Sequence, residues 1–157
     1  MRRLLFLCAM LLSVGTLVAD PPRFSLGLGV TEIDKIQQQG VASVEMVLPP
    51  AWRSLRPFVG LHVSQEGDAY LCAGAQYEWP LGKNWWGRFG LGAGYFRYDG
   101  GYQLGGPLEF QSLIVVERVW KEGVRAGFTY QHLSHGGVYG NNPGSERLLL
   151  TLSFPVE

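Results

Sequence analysis

Large apolar residues recur at every second position through most of this chain. Phe24, Leu26, Leu28 and Val30 alternate with Ser25, Gly27 and Gly29, and Ala42, Val44, Met46 and Leu48 alternate with Ser43 and Glu45. The same split sets Val59, Leu61 and Val63 against Gly60, His62 and Ser64. It then sets Leu71, Ala73, Ala75, Tyr77 and Trp79 against Cys72, Gly74, Gln76 and Glu78. A fifth run places Trp85, Phe89, Leu91, Ala93 and Tyr95 opposite Arg88, Gly90, Gly92 and Gly94. The sixth, from Phe110 to Trp120, is less clean, because Glu117 and Arg118 fall on opposite faces and both faces carry aliphatics. The seventh alternates Val124, Ala126, Phe128 and Tyr130 with Arg125, Thr129 and Gln131, and the eighth alternates Leu148, Leu150, Leu152 and Phe154 with Arg147, Thr151 and Ser153. Alternation of this kind is the signature of a strand with two different faces. No segment sustains a helical period.

Eight such runs, most of them near the ~9–11 residues of a tilted membrane-crossing strand, predict an all-β fold. In a soluble sandwich the small, polar face would look to water. Here the large face is uniformly lipophilic, while its opposite holds glycine, polar groups and charge, which suits lipid outside and a packed polar interior. Closure follows from the same argument, since an open sheet edge in hydrocarbon would strand backbone N–H and C=O groups. The expected architecture is an eight-stranded antiparallel transmembrane β-barrel, with Trp79, Trp85, Tyr95, Trp120 and Phe154 as interfacial aromatics. Tight turns at Leu81 to Asn84 and Lys121 to Gly123 mark the periplasmic end. The longer segments Asp99 to Glu109 and Ser134 to Glu146 mark the outer one. Pro49 to Pro57 is the exception, a long connection on the short-turn side.

Two features refine this picture. Arg2 and Arg3 followed by LLFLCAMLLSVGTLVA read as a secretory signal over residues 1–19, too short an apolar run for a spanning helix and followed at once by Asp20, Pro21 and Pro22. Residues 20–157 then form the barrel domain. The chain has 13 basic and 13 acidic residues, two of the basic ones in the leader, so the remainder is close to neutral and carries no nucleic-acid signature. Cys8 lies in the leader, which leaves Cys72 without an intrachain disulfide partner.

The even phase of the seventh run continues through His132 and Ser134, and the even phase of the eighth begins at Glu146. All three polar residues therefore point to the lipid side, where they cost free energy unless they satisfy one another. Residues i and i+2 share a strand face, so His132 is placed to take the Ser134 hydroxyl proton. Glu146, opening the neighbouring strand, is placed to fix the imidazole tautomer, which completes a Ser/His/Glu triad. Gly136 and Gly137 let backbone N–H groups approach an oxyanion, and His135 offers a ring donor beside them. A metal site built on His132 and His135 would need His62 as third ligand, and His62 lies on the inward phase. No metal or cofactor is expected.

The H-L-S-H-G-G stretch, the following N-P-G and the Glu two positions after Gly144 resemble the outer-membrane lipid A 3-O-deacylases, the PagL-like enzymes, most specifically from Phe128 to Glu146. That family's pattern is H-x-S-N-A-G with a downstream Glu. The resemblance implies an eight-stranded barrel that hydrolyses the 3-O-linked hydroxyacyl ester of lipopolysaccharide lipid A, with His132 as base, Ser134 as nucleophile, Glu146 as third member, and His135 and Gly137 at the oxyanion hole. This chain has His135 where the family has Asn and Gly136 where it has Ala. The expected location is the outer membrane with the site at the outer leaflet, and Lys35 or Arg97 near the rim would meet lipid A phosphates. The partners expected are lipid A, the surrounding lipid and, if any protein, a second copy of the chain. An inert barrel binding partners through its loops, and an acyltransferase barrel, are the competing readings.

Overall fold

The computed structural model describes residues 20–33, 35, 36 and 38–156. The expected signal segment, with its cleavage after Ala19, lies outside the described residues. Each alternating run forms one strand: β1 (Arg23–Thr31), β2 (Gln39–Val47), β3 (Leu55–Ser64), β4 (Ala69–Gly82), β5 (Trp85–Arg97), β6 (Leu108–Val119), β7 (Arg125–Ser134) and β8 (Ser145–Pro155). Neighbours in sequence pair antiparallel, and β1 pairs with β8 from Arg23↔Pro155 to Thr31↔Arg147, so the sheet closes into a barrel with no free edge.

The wall sorts side chains as the period predicts. Leu28 is 70% exposed and Phe128 62%, both facing outward, whereas Arg23, Gln76, Glu117 and Arg147 are buried inside. A soluble protein would hide the first pair and solvate the second; a lipid-embedded barrel does the reverse. Trp52, Trp85, Trp120 and Phe154 stand exposed at the short-turn end.

Inside, the short-turn half is held by ions. Arg125 Nη1 donates to Glu117 Oε1 at 2.8 Å, and Arg88 Nη2 lies 3.2 Å from Glu117 Oε2. Arg23 pairs with Glu78, and Arg56 with Asp20. Buried charges of this kind are tolerated only when paired. The interior is less polar than expected, because Phe58, Tyr70, Leu104, Leu113 and Leu133 pack together within it. Leu113 and Val115 in β6 point inward, which is why the sixth run looked mixed: one aliphatic set faces lipid and the other joins the plug.

One boundary is corrected. β3 starts at Leu55, before Pro57, so the connection after β2 is shorter than Pro49 to Pro57. Pro57 needs no N–H at its place in the ladder, and its carbonyl accepts from Leu48 N at 2.9 Å. At the opposite end, Asp68 accepts backbone N–H bonds from Asp99, Gly101 and Tyr102 at 2.7, 3.1 and 3.0 Å, which folds the β5–β6 loop over the barrel mouth.

Candidate active site

The candidate site stands on β7 and β8 at the long-loop end. The register sets His132 directly opposite Glu146, with Tyr130↔Leu148 and Phe128↔Leu150 below them on the same outer face. Directly opposed residues bring their Cβ atoms to ~4.5–5.5 Å, close enough for a short polar contact. His132 Nδ1–H donates to Glu146 Oε1 at 2.6 Å. With the carboxylate accepting, the proton sits on Nδ1 and Nε2 is left as the basic nitrogen. The side chains of His132 and Glu146 are 42% and 22% exposed. The second carboxylate oxygen of Glu146 accepts from the Tyr130 hydroxyl.

Ser134 ends β7 two residues beyond His132 and is half-buried, opposite Phe110 on β6. Among the described residues its hydroxyl makes no hydrogen bond, so it is not committed to another partner. Catalytic hydrogen bonds commonly close only with substrate in place. The strand spacing thus brings the three expected residues onto one patch of the outer wall.

The chain then turns sharply. Gly136 and Gly137 have φ of 60° and 85°, the left-handed region that glycine enters without steric cost. Val138 N donates to His135 O at 3.1 Å, closing the turn. Among the described residues the N–H groups of Gly136 and Gly137 have no hydrogen-bond acceptor, and they follow Ser134 by two and three residues.

His135 departs from the expected ring donor. Its side chain is fully buried; Nε2–H donates to Asn141 O at 2.9 Å, and Nδ1 accepts from Tyr139 N at 3.4 Å. Both ring nitrogens serve the loop. Its backbone N–H donates to Asn142 Oδ1 at 3.2 Å, so the Asn of the N-P-G stretch holds the start of the turn. Gly144, at φ 62°, lies against the histidine: a Cβ there would sit 3.3 Å from His132 Cε1.

The expected rim cations are also committed elsewhere. Lys35 Nζ lies 2.8 Å from Glu32 Oε2, donates to Gly144 O at 3.0 Å and rests 4.3 Å from the centroid of the Tyr102 ring. Arg97 pairs with Asp99. Glu32, unremarked in the sequence, also accepts from Ser145 Oγ at 2.5 Å, so the first and last long loops are tied together beside the site. His62 is buried in the barrel interior, and among the described residues no group of three or more metal-ligating side chains assembles.

The family model for lipid A 3-O-deacylase (PagL) matches residues 37–155. This chain belongs to the lipid A 3-O-deacylase family. Its fold is similar to the crystal structure of the outer-membrane enzyme PagL, with a TM-score of 0.68 at 21% identity over 85% of this chain and 99% of that one. It is also similar to a de novo designed transmembrane β-barrel (TM-score 0.66, 9% identity, 88% and 97% covered). Neisserial surface protein A matches as well (0.57, 12%, 86% and 96%). Comparison with curated proteins gave no match. The barrel alone does not separate an enzyme from an inert wall, as the designed barrel illustrates. Membership of the deacylase family does, and the protein is an outer-membrane lipid A deacylase.

Proposed function

We propose that this deacylase is a serine esterase in which Ser134, His132 and Glu146 carry out the chemistry at the outer leaflet. The observation that carries the reading is the 2.6 Å His132–Glu146 pair on the lipid-facing wall, on the same strand face as Ser134. A histidine and a carboxylate in the place of two aliphatics are costly unless they are used.

In the first half-reaction, Ser134 Oγ attacks the carbonyl carbon of the 3-O-linked acyl ester while His132 Nε2 takes the hydroxyl proton. Glu146 stabilises the imidazolium through Nδ1–H and is not itself protonated. The carbonyl oxygen, now an oxyanion, is met by the backbone N–H groups of Gly136 and Gly137, and His135 acts by holding that turn through Asn141 and Tyr139. Collapse breaks the C–O bond, and His132 returns its proton to the departing sugar 3-oxygen. Water then attacks the acyl-enzyme with His132 again as base, which frees the hydroxy fatty acid and restores Ser134. Substrate arrives laterally, because the outward face beside the triad is the apolar one. Exposed Phe110, Phe128, Tyr130, Leu148 and Leu150 form the surface on which an acyl chain lies.

A serine-directed fluorophosphonate tests this assignment on the purified protein in detergent. It should label Ser134, as mapped by peptide mass spectrometry, and labelling should disappear in His132→Ala. A modified residue other than Ser134, or an active preparation that resists the reagent, would contradict the assignment.

A further inference from the structure

We propose that Tyr130 is a positioning residue that holds the catalytic carboxylate, an inference that rests on the triad reading above. Period two places Tyr130 on the outer face between Phe128 and His132, where a tyrosine ordinarily anchors a barrel at the interface by turning its hydroxyl to headgroups and water. Here the hydroxyl turns along the wall to Glu146. Tyr130 lies directly opposite Leu148, so Glu146 is its diagonal neighbour, within reach of an aromatic side chain and beyond that of a short one.

The consequence is a carboxylate fixed at both oxygens: Oε1 accepts from His132 Nδ1 at 2.6 Å and Oε2 accepts from Tyr130. Two donors at opposite ends of a planar group define its rotation, and a carboxylate fixed in rotation fixes the imidazole plane hydrogen-bonded to it. The backbone of Glu146 is held as well, since its carbonyl accepts from Ile33 N at 3.3 Å. Tyr130 also supplies Glu146 with a hydrogen bond at a lipid boundary where water is scarce, and there an unmet carboxylate oxygen is expensive. Tyr130 thus acts on the base through Glu146.

The test is a cycle of four proteins: the parent, Tyr130→Phe, Glu146→Ala and the double variant. Phenylalanine keeps the ring on the wall and removes only the hydroxyl. Tyr130→Phe should lower kcat about tenfold, as expected for loss of a hydrogen bond to a charged group, with KM within about twofold of the parent. In the Glu146→Ala background the same change should alter kcat by less than about twofold, because the group it positions is gone. Heat-modifiable gel mobility should match the parent in all four. Equal losses in both backgrounds would assign Tyr130 a packing role and overturn the proposal, as would parental kcat in Tyr130→Phe. Parental kcat in Glu146→Ala alone would remove the carboxylate from the machinery, a failure of the triad reading that also ends the role of Tyr130.

Discussion

Ser134→Ala will reduce hydrolysis of the 3-O-linked acyl ester to background, and His132→Ala will do nearly the same. A serine hydroxyl is a weak nucleophile until a base removes its proton, and where the two act as a unit the loss of either costs on the order of 10⁶ in kcat. The double variant should therefore be no worse than either single one, because the second change removes something the first has already disabled. Both substitutions lie on the outer wall and leave the buried ion network untouched, so heat-modifiable mobility should stay that of the parent. Steady-state hydrolysis of purified lipid A, followed by release of the hydroxy fatty acid, reads the effect. Residual turnover of Ser134→Ala within tenfold of the parent would show that another group attacks the ester.

The second large effect is on stability, and comes from the other end of the barrel. Glu117 is buried with one oxygen on Arg125 and the other near Arg88. Glu117→Ala removes one negative charge from this buried cluster. Arg88 keeps Gln76 at 3.1 Å and Glu45 at 3.7 Å, and Arg125 keeps Glu78 at 3.7 Å. Breaking buried pairs in this way costs about 3–5 kcal/mol, because the cluster keeps its arginines with one carboxylate fewer, in a medium that cannot solvate the surplus charge. Urea unfolding followed by gel mobility in lipid vesicles should show that loss. The folded fraction should keep parental kcat, since Glu117 pairs with Gly127, five residues down β7 from His132, or ~17 Å along the strand. A loss below about 1 kcal/mol would mean that the interior is well enough hydrated to solvate the arginines.

The barrel was legible because its wall separates two solvents. Leu28 and Phe128 face lipid while Arg23 and Gln76 face the interior, and that difference repeats at every second residue. The same period placed His132, Ser134 and Glu146 on one face, and the strand register then set His132 opposite Glu146. It also carried a message that was not taken from it. Gln131, Leu133 and His135 share the inward phase, and continuing that phase one residue past the strand turns the His135 ring into the barrel mouth. Pro57 misled for a different reason: proline is excluded from a ladder only where its N–H is required, and which positions require it depends on register. The partners of Lys35 and Arg97 are near in sequence, Glu32 and Asp99, but whether a surface lysine takes its neighbour or a ligand depends on loop shape. The Tyr130–Glu146 contact hangs on the rotamer of one diagonal pair, and no periodicity encodes a rotamer.

The most direct test is mass spectrometry of lipid A extracted from outer membranes of a Gram-negative host expressing the parent protein or Ser134→Ala at matched levels. On the Ser134 mechanism, lipid A from the parent strain lacks one 3-hydroxyacyl unit, lost from a 3-position, while lipid A from the Ser134→Ala strain is indistinguishable from that of the host. Equal deacylation in both strains would contradict it, as would an unaltered lipid A in cells carrying folded parent protein.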